Sequence, residues 1–316
     1  MKVTGHYEGK GTRLSFELLP PLRGSSIESV YGTIDRLIEF NPACINITYH
    51  REEKIVIDKS DGAREIRVVK KRPGTVGIAA AIQHKYGIDV VPHIICGGFT
   101  RQETEDALID LDFLGIHNLL VIRGDGNRET GVFQPGEDGH AHAVDLVCQI
   151  MNMNRGIYLD NYINDPAPTC FSVGVAGYPE KHYEATDMET DLHYLKMKVD
   201  AGAEYVVTQM FFDNRLYFEF VRRCRETGIS VPVIPGLKPV AIRKHLDILP
   251  GVFGVTIPPE LAGEILACKT DSEVYNLGIE WTAMQSAELK KAGVPAIHYY
   301  TMSRPDNIVE IAKRVF

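Results

Sequence analysis

Eight apolar, strand-like runs alternating with stretches of helical period predict a (β/α)8 TIM barrel folded as a single domain. The runs fall at 14–19, 43–49, 88–96, 118–123, 170–176, 205–212, 231–237 and 297–302. The same alternation would suit an open, doubly wound sheet, but two further observations favour closure. No Gly-x-Gly-x-x-Gly follows the first run, as a dinucleotide-binding sheet would need. The distinctive polar residues also cluster at the C-terminal ends of the runs, which a barrel gathers at one mouth. A length of 316 residues exceeds a typical domain, yet barrels of about 250 residues form one unit.

The first run reads Leu14-Ser15-Phe16-Glu17-Leu18-Leu19 and is stopped by Pro20-Pro21, neither of which can donate a ladder hydrogen bond. Side chains alternate across a strand, so Leu14, Phe16 and Leu18 share one face while Ser15 and Glu17 share the other. A carboxyl group turned inward and shielded from water keeps its proton near neutral pH and can act as a general acid. On this motif alone, an edge-strand glutamate in solvent or a paired core glutamate explains Glu17 equally well.

The second run, Ala43-Cys44-Ile45-Asn46-Ile47-Thr48-Tyr49, is followed by an insertion at 51–73. There Ile55-Val56-Ile57 and Ile66-Arg67-Val68-Val69 flank Ser60-Asp61-Gly62, which suggests a hairpin around an Asp-Gly turn at the active face. It reads equally as a lid or a solvated excursion, and Lys70-Lys71-Arg72 reads first as a plain surface run. The third run brings His93, the fourth ends in Arg123-Gly124-Asp125, and the fifth leads into Tyr178-Pro179-Glu180-Lys181-His182. Thr186 and Glu189 then form a capping box for a helix whose stripe is Leu192, Leu195 and Val199, with Gly202 at its C-terminal cap. The sixth run carries Thr208-Gln209-Met210-Phe211-Phe212-Asp213, and the last ends in Tyr299-Tyr300-Thr301-Met302-Ser303-Arg304.

Composition narrows the function classes. Apolar content of 44% and charged content of 24% are ordinary for a globular protein. No run of about 20 apolar residues would span a bilayer, and residues 1–13 lack the apolar core of a signal peptide, so a cytoplasmic location is expected. The net charge of −8 argues against nucleic acid as the main partner. Six scattered cysteines without a Cys-x-x-Cys pair read as reduced core residues. His140-Ala141-His142 offers two nitrogens but no third ligand at suitable spacing, so no metal is expected. His93 alone would read as a hydrogen-bonded core histidine, and Arg123-Gly124-Asp125 alone as a turn. Seven strands that each place polar groups at one mouth are harder to explain as scaffolding.

With those residues in view, the chain resembles the catalytic barrel of 5,10-methylenetetrahydrofolate reductase of the bacterial flavoprotein type, from Leu14 to about Arg314. The resemblance rests on Ser15-Phe16-Glu17-x-x-Pro20-Pro21, Pro92-His93-x-x-Cys96, Arg123-Gly124-Asp125, Tyr178-Pro179-Glu180-x-His182, Lys198-Val199-Asp200-Ala201-Gly202-Ala203, Thr208-Gln209-x-Phe211-Phe212-Asp213 and Ile234-Pro235-Gly236-x-x-Pro239-Val240. It implies a ping-pong reaction on one FAD, in which a reduced nicotinamide leaves before methylenetetrahydrofolate enters, supplying methyl groups for methionine synthesis. NADH rather than NADPH is the expected donor by similarity to bacterial members. The large C-terminal regulatory domain of eukaryotic members has no counterpart in these residues, so inhibition by S-adenosylmethionine is not expected. Oligomeric state stays open, because outer helices of a barrel pack in several ways.

The resemblance also implies roles. The folate ring bridging N5 and N10 opens to an iminium before it accepts hydride, and opening needs a proton at the weakly basic N10. Glu17 stands at the family's acid position. Asp125 stands where a carboxylate lies near flavin and pterin, disfavouring the anionic reduced flavin. Gln209 can pair with the pterin or the nicotinamide carboxamide. Thr48, Tyr49, His93, Arg123, Gly124 and Tyr178 match positions lining the isoalloxazine and ribityl region. His182, Asp191 and Lys198 match positions around the phosphates and adenosine, while His142 and Ala143 open a helix where backbone N–H groups suit a phosphate. Arg304 suits a carboxylate of the folate tail.

Some positions depart from the pattern. Leu249 stands where bacterial members often carry an aromatic residue packing on either substrate, and Tyr194 and Met197 stand where Asn and Arg are expected near the cofactor. Two rivals remain: a flavin-free pterin barrel that transfers a one-carbon group, and a noncatalytic folate binder. The first would lack His182, Asp191 and Lys198 as a set; the second would not need Glu17, Asp125 and Gln209 together.

Overall fold

The alternating pattern closes on itself as parallel strands β1 (Arg13–Leu18), β2 (Cys44–Ile47), β5 (Val90–Ile95), β6 (Asn118–Ile122), β7 (Ser172–Gly177), β8 (Tyr205–Met210), β9 (Val233–Leu237) and β10 (Ala296–Tyr300). The intervening β3 (Glu53–Asp58) and β4 (Arg64–Val69) form a separate antiparallel pair. The computed structural model describes residues 1–9, 11–50, 52–59, 62–126 and 132–316. Around the barrel the order is β1-β10-β9-β8-β7-β6-β5-β2, and β2 pairs back to β1. The helices, in chain order, are α1 (Val3–Tyr7), α2 (Glu28–Asp35), α3 (Thr75–Tyr86), α4 (Arg101–Phe113), α5 (Ala143–Met153), α6 (Met188–Asp200), α7 (Asn214–Glu226), α8 (His245–Phe253), α9 (Pro259–Ala267), α10 (Asp271–Lys291) and α11 (Asp306–Val315). The chain is a single-domain (β/α)8 barrel.

Two apolar layers hold it. Outward-facing strand residues such as Leu14, Phe16, Leu18, Val121, Val175 and Tyr299 are buried under the helices. Inside, Cys44, Val91, Leu120, Tyr205 and Ala296 fill the N-terminal end of the barrel. The polar opening segment, which shows no strong helical pattern, supplies the plug: Val3 and Tyr7 of α1 pack into that cluster. The N–H of Val3 donates to Asn118 Oδ1 at 2.8 Å, and the Tyr7 ring meets Tyr205 edge-on at 5.9 Å. The bottom is therefore closed, and polar chemistry is left to the other end.

Three local readings change in detail. The cap of α6 is Asp187, whose carboxylate accepts from the Thr190 N–H at 2.8 Å, so the expected Thr186–Glu189 box does not form. A carboxylate outcompetes a hydroxyl for that N–H, and Thr186 bonds Thr190 Oγ1 instead. Ala201 is the C-terminal cap of α6, and Gly202 follows it with φ of +123°. Thr48 and Tyr49 lie beyond the end of β2. In the 51–73 insertion, β3 and β4 pair from Glu53↔Val69 to Asp58↔Arg64. Ser60 and Asp61 of the expected turn lie outside the described residues; Gly62, with φ of +80°, donates its N–H to Lys59 O.

Candidate active site at the barrel mouth

Glu17 sits on the inward face of β1, near its C-terminal end, and is 7% exposed. Strand alternation turns it inward because Leu14, Phe16 and Leu18 occupy the apolar layer outside. Its carboxyl is pushed up to about 8 by burial, with the Lys238 ammonium pulling the other way. Register places Tyr300 of β10 beside Glu17 on one side and Asn46 of β2 on the other. The Thr301 hydroxyl donates to the Glu17 carbonyl at 2.6 Å, and Ser303 Oγ accepts from the Leu19 N–H at 3.2 Å. These bonds stitch the loop after β10 to the end of β1.

Below Glu17 lies a polar layer unusual for a barrel core. Ser15 Oγ and His298 Nδ1 are 3.0 Å apart. His93 is buried on β5, and burial pushes its imidazole, like that of His298, down to about 3, so both stay neutral. His93 Nε2, His298 Nε2 and Asn46 Oδ1 have no hydrogen-bond partner among the described residues. A buried polar atom normally has one, so this layer is built to meet another group.

The opposite arc of the mouth carries cations. Arg123 pairs with Glu184 at 2.5 Å and lies over the Phe133 ring at 5.0 Å. Gly124 follows with φ of +90°, where a side chain would be strained. Asp125 is exposed at the tip of that turn. Tyr178, after β7, meets the His182 ring edge-on at 4.7 Å. The His182 N–H donates to Asp191 Oδ2 at 3.0 Å, and Lys198 Nζ donates to the Ala176 carbonyl at 2.9 Å. Asp191 and Lys198 are thus half-buried on the inner side of α6, although as isolated charges on a helix they would read as solvated. Burial lowers the Lys198 ammonium to about 8, against the pull of Asp191. Burial also lowers His182.

The remaining sequence-predicted residues are more dispersed. Thr48 Oγ1 donates to Leu18 O at 3.2 Å, and the Tyr49 ring packs on Phe99 at 5.0 Å with Lys70 of the insertion 5.1 Å above it. Gln209 points its amide oxygen back at the Met210 N–H, 2.9 Å away. His142 is exposed ahead of Ala143 at the start of α5, and its N–H is taken by Asp145. Arg304 is exposed in the loop after β10. Leu249 is only 2% exposed, packed with Met210, Phe212 and Val240; Val252, one turn on, is 67% exposed. Tyr194 and Met197 are exposed on α6.

Sequence reasoning passed over Lys238 and His298. Lys238 carried a usable signal: a lone cation between apolar residues and a proline, at the end of a strand, as with Glu17. Two shallow clefts open elsewhere, one of about 270 Å³ beside Asp213 and Trp281 and one of about 330 Å³ beside Glu180 and Phe220. Neither is lined by Glu17, His93 or Lys198.

A parallel barrel with its polar residues collected at the strand C-termini defines the class: a (β/α)8 barrel built to work at its mouth. The chain belongs to the methylenetetrahydrofolate reductase family, whose model matches residues 2–315. It is 30% identical over 294 residues to 5,10-methylenetetrahydrofolate reductase of Pectobacterium carotovorum subsp. carotovorum, covering 93% of this chain and 86% of that protein. It is 29% identical over 312 residues to methylenetetrahydrofolate reductase (NADH) 1 of Arabidopsis thaliana, covering 96% of this chain but 48% of that protein. The chain thus spans about half the length of the plant relatives it matches. Among solved structures, a Clostridium thermocellum protein described as binding two copies of 5-methyl-5,6,7,8-tetrahydrofolic acid superposes with a TM-score of 0.56 at 14% identity. That match covers 99% of this chain and 98% of the other, and at such identity it speaks to the fold.

Proposed function

We propose that this chain reduces 5,10-methylenetetrahydrofolate to 5-methyltetrahydrofolate, with Glu17 as the general acid at N10, FAD as the cofactor and NADH as the preferred donor. The observation that carries the reading is the inward Glu17 carboxyl, held protonated at neutral pH by its burial. A carboxylic acid there delivers a proton that an exposed carboxylate, ionised near pH 4, does not hold.

The residues fit a flavin dinucleotide. Arg123, His182 and Lys198 put positive or donor groups on one arc, suited to a diphosphate. His93 Nε2 is a buried polar atom without a partner, suited to a cofactor edge. When bound, FAD would supply hydride transfer between the nicotinamide and the folate. Glu17 gives its proton to N10, Gln209 turns its amide to whichever substrate is present, and Arg304 holds a carboxylate of the folate tail. Asp125, in the turn after β6, would disfavour the anionic reduced form of a bound flavin. The product would feed methyl transfer to homocysteine in the cytoplasm.

An anaerobic absorbance spectrum of the purified protein tests the reading. A yellow protein whose visible band bleaches with NADH and returns with methylenetetrahydrofolate supports it. A colourless protein that binds folate, and stays colourless after incubation with FAD, overturns it in favour of a flavin-free pterin barrel.

A further inference from the structure

Lys238 follows β9 on the same inward side as Ile234 and Gly236. Register runs from β9 to β10 through Tyr299↔Leu237, and from β10 to β1 through Tyr300↔Glu17. Lys238, Tyr300 and Glu17 therefore stand at one level of the mouth on three neighbouring strands. Gly236 makes the row possible: a Cβ there would meet the Thr208 carbonyl at 2.3 Å and the Tyr300 hydroxyl at 2.8 Å. With that space free, Tyr300 crosses β9 and donates to Thr208 O at 2.6 Å.

Among the described residues, neither the Glu17 carboxyl nor the Lys238 ammonium has a hydrogen-bond or ion-pair partner. A structural salt bridge would bring the two into contact and satisfy both, which is what makes a buried pair tolerable. Here the buried Glu17 carboxyl and the half-buried Lys238 ammonium stand near one another without a direct bond. Such an unbonded arrangement suits a charge relationship that changes during turnover.

We propose that Lys238 is the positioning residue for Glu17, its ammonium stabilising the carboxylate that remains once Glu17 has given up its proton. The proposal rests on the reductase reading for its consequence, not for its geometry. In the step concerned, the Glu17 O–H bond breaks and an N–H bond forms at N10 of the folate. The bonding electrons stay on the carboxylate, and the lysine keeps its proton. A fixed cation near the new charge lowers the cost of creating it, because the Glu17 carboxyl is shielded from water.

The titratable groups packed around Glu17 and Lys238 are shifted by their own burial. Tyr300 and Tyr178 are raised by burial, His298 and His93 are held near 3, and His245 behind Lys238 is lowered to about 4. Arg304 also faces Lys238. The Glu17 transition, near 8, therefore stands apart from those of His93, His298 and His245.

The test is an infrared titration of the folded protein, following the carbonyl stretch of protonated Glu17 and assigning it by its loss in Glu17→Gln. In Lys238→Met the midpoint should rise by about one pH unit or more, while Lys238→Arg should track the wild type. An unchanged midpoint in Lys238→Met overturns the proposal; Lys238→Gln replaces it if the methionine variant does not fold. In turnover, Lys238→Met should slow the folate half-reaction severalfold on its low-pH plateau yet move the falling limb to higher pH. A purely structural lesion lowers the rate without moving the limb. Wild-type protein that folate fails to reoxidise would overturn the reductase reading alone, since the carboxyl titration does not depend on it.

Discussion

The hydroxyl of Thr301 donates a 2.6 Å hydrogen bond to the carbonyl oxygen of Glu17, joining residues 284 positions apart in the chain. The bond closes the seam between the first and last barrel strands just where Glu17 is presented. Thr301→Val keeps the shape and removes the donor, leaving a buried carbonyl short of a partner. The variant should lose about 1–3 kcal/mol of stability, read by denaturant melts at constant m-value. Its folate half-reaction should slow more than its nicotinamide half-reaction, because the seam holds Glu17.

Glu17→Gln keeps the size and removes the proton. Bleaching by NADH needs no proton at a folate nitrogen, so its rate should stay within a few-fold of wild type in stopped flow. Reoxidation by methylenetetrahydrofolate should fall by about 10²–10⁴-fold. Equal losses in both halves would make Glu17 a structural residue.

The raised Glu17 carboxyl also sets a stability profile. The folded protein holds this proton up to about pH 8, whereas the unfolded chain releases it near 4.5. The folded state therefore binds more protons between those values, and stability falls as pH rises through that window. Glu17→Gln should gain on the wild type progressively over the same range and level off above it, by a few kcal/mol, on the order expected from linkage. Melts at pH 5 and pH 9 read the difference. A wild type and variant that run parallel across both would mean that Glu17 ionises freely.

Asp125 is exposed at the turn after β6, within electrostatic reach of Tyr178 and Tyr183. Asp125→Asn should still bind FAD, since its backbone turn depends on Gly124. Removing the negative charge should raise the flavin potential and slow the folate half-reaction. A redox titration and single-turnover reoxidation check this; unchanged values in both would remove Asp125 from the chemistry.

Much of this was legible in one dimension. Alternation in Leu14-Ser15-Phe16-Glu17-Leu18 is a local property of extended backbone, so the inward face of Glu17 follows from neighbours in the chain. Strand ends marked by Pro20, Gly124 and Pro179 likewise located the mouth. Helix caps were less legible: Thr186 and Asp187 compete for the same N–H groups, and their geometry decides between them.

The sequence by itself determined the class of fold, the run of strands and the set of polar residues at their ends, because backbone periodicity and chain-breaking residues act over a few positions. Only the tertiary structure decided which of those residues meet. It set Lys238 two strands from Glu17 through Tyr300, seated Lys198 on the Ala176 carbonyl, covered Leu249 and turned α1 into the floor of the barrel. Those relationships depend on barrel stagger and on burial, and both are fixed by contacts between segments far apart in the chain.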